Sequence, residues 1–193
     1  MIGYLLDSNV YFRLAKSFHP LLGGPFGPQK LQLQVLTDVD REFSQNPKLD
    51  SKFSWVSETQ YASNRKSNLL VAAGDDAENI KHAGWFIRDW CRDNRTLFLE
   101  HRATAPSPVD CAVLAHGNVL GAIVVTDDRG MAVAAKEFNI ELIGGHELLK
   151  LLLDAKVVTM DQIQVAFAYL DYERDIPATW RRSAKRLFGI TLS

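Results

Sequence analysis

Hydrophobic positions along the chain fall into two patterns, which are short apolar runs and longer segments with apolar residues three or four positions apart. The short runs predict strands at residues 1–6, 53–56, 97–99, 121–125 and 140–143. The longer segments predict helices at residues 10–16, 30–44, 57–71, 77–92, 108–116, 131–138 and 147–153. Because strands alternate with helices, the pattern favours an α/β fold with a parallel sheet.

The C-terminal part of the chain has a different pattern. Residues 160–172 and 177–188 predict two helices with no strand between them. We therefore expect a three-layer α/β/α domain at residues 1–154, with a central parallel sheet of four or five strands. Residues 155–193 are expected to form a helical extension that packs on this domain or on a partner.

Composition narrows the class of protein. The chain has 193 residues, is 47% hydrophobic and carries a formal net charge of −1, which suits one domain with an appendage. A nucleic-acid partner would therefore need a local basic patch. Cys91 and Cys111 lack the spacing of a zinc site and predict reduced thiols in a cytoplasmic protein. Neither a signal peptide nor a membrane-spanning segment is expected.

Four acids are predicted to lie near one edge of the sheet. Asp7 directly follows the first strand, and Asp127 and Asp128 follow the run at residues 121–125. The carboxyl ends of parallel strands share one edge, where ligands bind in open α/β sheets. Asp110 lies in the first turn of the preceding helix. Carboxylates held close together raise each other's pKa, and a divalent cation such as Mg²⁺ relieves their repulsion.

Each of these acids also has a structural interpretation. Asp7 can cap the first helix, and Asp110 lies three residues after Ser107, as in a capping box. Asp127 and Asp128 can form a turn after the strand. The metal-site interpretation is favoured because the acids occur together at the expected positions of one α/β chain.

Three segments resemble the acidic motifs of the PIN-domain family. They are Tyr4-Leu-Leu-Asp7-Ser8-Asn9-Val10, Ser107-Pro-Val-Asp110-Cys-Ala-Val-Leu-Ala115 and Val124-Val-Thr126-Asp127-Asp128-Arg129. Their order and spacing also match, over residues 2–150 of the chain. The resemblance implies a PIN-like α/β/α fold and an Mg²⁺- or Mn²⁺-dependent endoribonuclease that cleaves RNA phosphodiester bonds. Many PIN proteins are VapC toxins of toxin–antitoxin pairs, which implies an antitoxin partner and a homodimer.

The same resemblance implies roles for individual residues. The metal ligands would be Asp7, Asp110 and Asp128. Asn9 and Thr126 would support these ligands through hydrogen bonds, and Asp127 would share or replace the role of Asp128.

The family's remaining acid is a glutamate on a helix after the second strand, and two residues compete for this position. Counting the family spacing from Ser57 leads to Ser63, which is not an acid. Glu58 belongs to the expected helix but lies early in it. Glu42 has the better local pattern, yet its predicted helix precedes the second predicted strand. We favour Glu58 and keep Glu42 as the alternative.

Basic residues near these motifs are candidates for binding RNA phosphates. Arg65 and Lys66 follow Glu58 and are expected to face the cleft, and Arg129 follows the acidic pair. A second cluster on the last predicted helix consists of Arg181, Arg182, Lys185 and Arg186. The structural alternative for both clusters is a solvated helix face.

Two rival functions are compatible with an α/β sheet that carries acids. One is a catalytically degraded PIN-like module that binds RNA or protein, which the uncertain glutamate suggests. The other is a receiver-like phosphoacceptor domain, which needs a lysine at the end of its last strand. The chain has Gly144-Gly145-His146 there, which argues against the receiver.

Overall fold

The computed structural model describes residues 3–45, 49 and 52–192 and contains a four-stranded parallel sheet. The strands are β1 (Tyr4–Leu6), β2 (Leu33–Gln34), β3 (Ile123–Val125) and β4 (Leu142–Ile143). Their order across the sheet is β2-β1-β3-β4. Leu5 of β1 aligns with Gln34 on one side and with Val124 on the other. β1 and β3 are therefore the inner strands, and their carboxyl ends lie side by side.

Helices surround the sheet. They are α1 (Ser8–Leu14), α2 (Asp38–Gln45), α3 (Thr59–Ser67), α4 (Asp75–Asp93), α5 (Arg95–Glu100), α6 (Pro108–Leu120), α7 (Arg129–Glu137), α8 (Gly145–Asp154), α9 (Met160–Tyr172) and α10 (Ala178–Phe188). A short 3₁₀ helix at Ser54–Ser57 precedes α3. Within the described ranges, none of these helices combines the length and the apolar composition that a bilayer crossing requires.

The two faces of the sheet carry separate hydrophobic cores. Tyr4 and Leu6 of β1 pack into one core with α1, α2, α3, α8, α9 and α10. Leu5 points the other way, because side chains alternate along a strand, and packs with α4, α5, α6 and α7. The predicted three-layer α/β/α fold is therefore confirmed. The two tail helices are also confirmed, and they lie on the same side of the sheet as α1 and α8.

Three of the predicted elements are wrong. The helix predicted at residues 30–44 is divided into β2 and α2. The strand predicted at residues 53–56 is the 3₁₀ helix, and the strand predicted at 97–99 lies within α5. Apolar runs of three or four residues fit one helical turn as well as a strand, so periodicity alone does not separate the two.

Helix α6 runs four residues further than predicted and ends at Gly121, whose φ of 63° is left-handed. Gly117, the predicted end, is a buried helical residue. A Cβ at Gly117 would lie 2.6 Å from Cγ2 of Val124. This glycine therefore lets α6 pack closely on β3 instead of ending the helix.

Candidate functional site

Asp7 lies at the end of β1, where it caps α1 and is 3% exposed. Its Oδ1 accepts a hydrogen bond from the backbone N–H of Asn9 at 3.4 Å. Its Oδ2 accepts a hydrogen bond from the hydroxyl of Thr126, at the end of β3, at 2.9 Å. Thr126 thus supports Asp7 with its side chain, whereas the contact from Asn9 comes from its backbone.

Asp110 and Asp128 are held at the starts of two helices. Asp110 forms a capping box with Ser107, whose backbone N–H donates to Oδ2 of Asp110 at 2.8 Å. Asp128 caps α7 and accepts a hydrogen bond from the backbone N–H of Met131 at 2.8 Å. Backbone N–H groups thus hold Oδ2 of Asp110 and Oδ1 of Asp128 and fix the orientation of both carboxylates.

A close backbone approach brings the starts of α6 and α7 together. Gly130 packs against the carbonyl oxygen of Thr104, which any Cβ at this position would overlap. Thr104 lies six residues before Asp110, and Gly130 lies two residues after Asp128. The glycine after the acidic pair therefore allows the two acids to lie near each other.

Electrostatic coupling connects four acids at this edge. Burial, together with the negative charges of Asp110 and Glu42, raises the pKa of Asp7 to about 7, while hydrogen bonds from Thr126 and Asn9 act in the lowering direction. Burial also raises the pKa of Asp110, with the charge of Asp128 adding to the effect while hydrogen bonds from Ser107 oppose it. Asp7 forms no ion pair with the described residues. The site therefore lacks a positive charge for its most buried acid.

The charge of Glu42, which we did not favour from the sequence, acts on Asp7 and contributes to its raised pKa. Its helix α2 follows β2, so Glu42 has the place expected of the family glutamate. Glu58, the preferred candidate, caps α3 at an exposed position and accepts a hydrogen bond from Gln60 at 3.2 Å. The sequence favoured Glu58 because β2 was interpreted as part of a helix, which placed Glu42 before the second strand. The choice between the two glutamates stays a prediction.

Asp127 makes contacts that differ from those of Asp128. Its Oδ1 accepts hydrogen bonds from Nε1 of Trp180 at 2.8 Å and from the backbone N–H of Gly145 at 3.1 Å. Its Oδ2 lies 3.4 Å from Nη1 of Arg13. Because Arg13 already pairs with the charge of Asp127 and helices α8 and α10 bind its other oxygen, we leave Asp127 out of the candidate metal-binding set.

The candidate RNA-binding residues separate into buried and exposed positions. Arg65 is 3% exposed, and its Nη1 donates to the hydroxyl of Tyr11 at 3.2 Å and to the carbonyl of Val56 at 3.0 Å. These contacts correct the expectation that Arg65 meets RNA, because its guanidinium joins α1, α3 and the 3₁₀ helix. Lys66 and Arg129 are exposed, as phosphate contacts require.

The acidic site fits a divalent cation by the type of its donors. Carboxylate oxygens are the ligands that Mg²⁺ prefers, together with water and substrate phosphate. Within the described ranges, no group of three or more His, Cys, Asp or Glu side chains is already gathered around one point as metal ligands. Binding would therefore require the acids to turn toward a shared ion.

Similarity to known proteins is weak. Neither a protein-family model nor a curated protein sequence matches the chain. The chain is similar to the crystal structure of FitAcB from Neisseria gonorrhoeae, with 14% sequence identity and a TM-score of 0.45. The similarity covers 74% of this chain and 97% of that chain. At this identity and score it carries no argument about function, which depends on the site itself.

Proposed function

We propose that this protein is a metal-dependent endoribonuclease with a PIN-like acidic site. The main support is the position of Asp7, which is buried at the end of an inner strand beside Asp110 and Glu42, without an ion pair among the described residues. A carboxylate in such a position takes up a proton or a divalent cation. The resemblance of the three acidic segments to PIN motifs favours the cation, with RNA as the substrate.

In this proposal, Asp7, Asp110 and Asp128 would hold the ion, and Glu42 would complete the acidic set. When bound, Mg²⁺ or Mn²⁺ polarises the phosphodiester and lowers the pKa of a water molecule. The hydroxyl of Thr126 orients Asp7, and backbone N–H groups orient the other two aspartates. These donors fix the orientation of each carboxylate, so the ligands keep a defined orientation without the ion.

Cleavage of a single-stranded RNA in the presence of Mn²⁺ tests the proposal. We expect cleavage by the unsubstituted protein and at least about a 100-fold lower rate for Asp7→Asn, because outer-shell substitutions alone cost about 10- to 100-fold. Asp161→Asn is the matched control, since Asp161 is an exposed acid on α9. Equal cleavage by the unsubstituted protein and Asp7→Asn would overturn the proposal.

The alternative is a PIN-like module that binds RNA or protein without cleaving RNA. It is favoured by the absence of a preformed ligand group among the described residues. In that case, the unsubstituted protein and Asp7→Asn would both bind a ligand, and neither would cleave RNA with Mn²⁺.

We further propose that the nuclease acts in the cytoplasm as a homodimeric toxin with a protein antitoxin. The support for this role is the resemblance to VapC motifs. Induced expression is expected to arrest bacterial growth, and Asp7→Asn is expected to abolish the arrest. Rescue by a gene directly upstream would identify the antitoxin, and light scattering would measure the oligomeric state. Growth unaffected by the unsubstituted protein would argue against the toxin role.

A further inference from the structure

Three arginines line a cleft at the start of α6. Arg88 and Arg92 lie one turn apart on α4, and Arg95 is the first residue of α5. Pro106 and Pro108 also line the cleft, which has a volume of about 260 Å³. All three arginines are exposed, so their guanidinium groups are accessible to a ligand.

The cleft keeps unneutralised positive charge. Arg92 forms ion pairs with Asp89 at 3.0 Å and with Asp93 at 3.1 Å, both at exposed positions. Arg88 and Arg95 form no ion pair with any described residue. Two positive charges are therefore available, although the chain as a whole has a net charge of −1.

Helix α6 connects the cleft to the acidic site. Pro108 in the cleft is the first residue of α6, and Asp110 is the third. At a rise of about 1.5 Å per residue, the two are separated by about 3 Å along the helix axis. The positive cleft and the acidic site therefore both include the start of α6.

We propose that this cleft binds a backbone phosphate of single-stranded RNA next to the phosphodiester at the acidic site, an inference that rests on the proposed function. Guanidinium groups bind phosphate oxygens through paired, charge-assisted hydrogen bonds. Four acids repel the RNA backbone, and nearby arginines offset this repulsion where the strand enters the site.

The residues of the cleft favour phosphate binding over base recognition. Besides the arginines, the lining consists of Cys91, Ala105 and the two prolines. Cys91 is buried, and alanine and proline side chains offer no hydrogen bonds to base edges. Contacts to phosphate position a strand without reading its sequence, so the cleft is expected to bind RNA of any sequence.

The salt dependence of RNA binding tests this inference. A labelled single-stranded RNA is titrated with the Asp7→Asn protein, which prevents cleavage, over a series of salt concentrations. Adding Arg88→Ala and Arg95→Ala removes two phosphate contacts, so the slope of log Kd against log salt should fall by about 1.4. At about 0.1 M salt, this change corresponds to about 25-fold weaker binding. Arg88→Lys with Arg95→Lys keeps both charges and should keep the slope.

Arg182→Ala with Arg186→Ala is the matched control. It removes two exposed arginines from α10, which packs on the opposite side of the sheet from α4. An unchanged slope for the Arg88→Ala and Arg95→Ala variant would overturn the inference, and so would an equal fall of the slope in the control. Neither result would bear on the proposed metal-dependent cleavage. Conversely, the unsubstituted protein could bind RNA through the cleft without cleaving it in the presence of Mn²⁺. That result would overturn the proposed nuclease activity and support RNA binding by the cleft.

Discussion

At the scale of single residues, the burial of Asp7 lowers the stability of the fold in the ionised form that cation binding requires. Burial and the neighbouring acids raise its pKa from 3.8 to about 7. At 1.36 kcal/mol per pKa unit, ionising this carboxylate in the folded, metal-free protein costs about 4 kcal/mol. The ionised form that a cation requires is therefore the form that destabilises the fold when no cation is bound.

Asp7→Asn is expected to stabilise the metal-free protein at alkaline pH. The folded pKa lies above the unfolded pKa, so the stability contributed by protonation is complete below about pH 4 and is lost as the pH rises through about 7. The variant has no such loss. Its advantage in free energy of unfolding should grow from near zero at about pH 4 to about 4 kcal/mol at about pH 8. Urea unfolding of the variant and the unsubstituted protein at both pH values measures this difference in free energy of unfolding. The same difference at both pH values would contradict the raised pKa of Asp7.

Glu42 and Glu58 can be separated by matched substitutions. Glu42→Gln removes a charge that acts on Asp7, and we expect Mn²⁺-dependent cleavage to fall by about 10- to 100-fold. Glu58→Gln changes an exposed residue at the start of α3 and should leave the rate unchanged. Steady-state cleavage of one RNA by both variants measures the difference, and the reverse order of effects would restore Glu58 as the family glutamate.

The sequence predicted some residues of the site better than others. Asp7, Asp110 and Asp128 each occupy a helix N-cap or first turn, where local signals such as Ser107-Pro108 are strong. Glu42 depends on β2, whose two residues are too few to show a period. The arginines of the cleft have helical spacing in the sequence, but only the fold places them beside Asp110.

At the scale of elements, the tail is tied to the sheet through Asp127. Trp180 of α10 is fully buried, and its Nε1 donates to Asp127, which directly precedes Asp128. Gly145 of α8 allows this packing, since a Cβ there would lie 2.6 Å from Cζ2 of Trp180. The tail therefore supports the loop that carries a candidate metal ligand.

Trp180→Phe is expected to lower the free energy of unfolding by about 2–3 kcal/mol. The substitution leaves the buried carboxylate of Asp127 without its shortest hydrogen bond, and hydrogen bonds to charged groups contribute about 1.5–3 kcal/mol. Trp85→Phe is the control, because Trp85 is 56% exposed and should change stability by less than about 0.5 kcal/mol. Urea unfolding compares the two variants, and equal losses would argue against the Asp127 contact.

Predictions of whole elements succeeded where patterns were long. The helices of the tail were predicted correctly because each has at least three turns and a clear end, such as Gly189 in a left-handed conformation. The segment at residues 97–99 was interpreted as a strand because Leu97-Phe98-Leu99 is apolar, although Leu99 is 73% exposed in α5. Tertiary packing decides between a strand and a helix here, and a run of three apolar residues does not reveal that packing.

At the scale of the whole molecule, α9 and α10 complete the core on one face of the sheet. Phe167, Leu170, Trp180 and Phe188 are buried in the same cluster as Leu6 and Leu148. The tail therefore contributes to the core of the domain that was predicted to end at residue 154. The boundary itself stays a prediction.

A chain ending at residue 154 is expected to lose cooperative unfolding. The shortened chain lacks α9 and α10, so the apolar residues that these helices cover would be exposed to water. Burial of one such side chain contributes about 1.5–3 kcal/mol to the free energy of unfolding. Calorimetry of the shortened and the full chain measures this. A sharp thermal transition in the shortened chain would show instead that residues 1–154 fold as an independent domain.

The two outer strands of the sheet have a further consequence. β2 and β4 contain two residues each, so each outer side offers a foreign strand very few free backbone groups. Short edge strands are one way in which proteins avoid pairing with strands of other copies. Parallel sheets form slowly because their contacts are distant in the chain, which prolongs the exposure of partly folded molecules. The short edges should therefore limit aggregation during folding, when the acids at the inner strands are not yet buried.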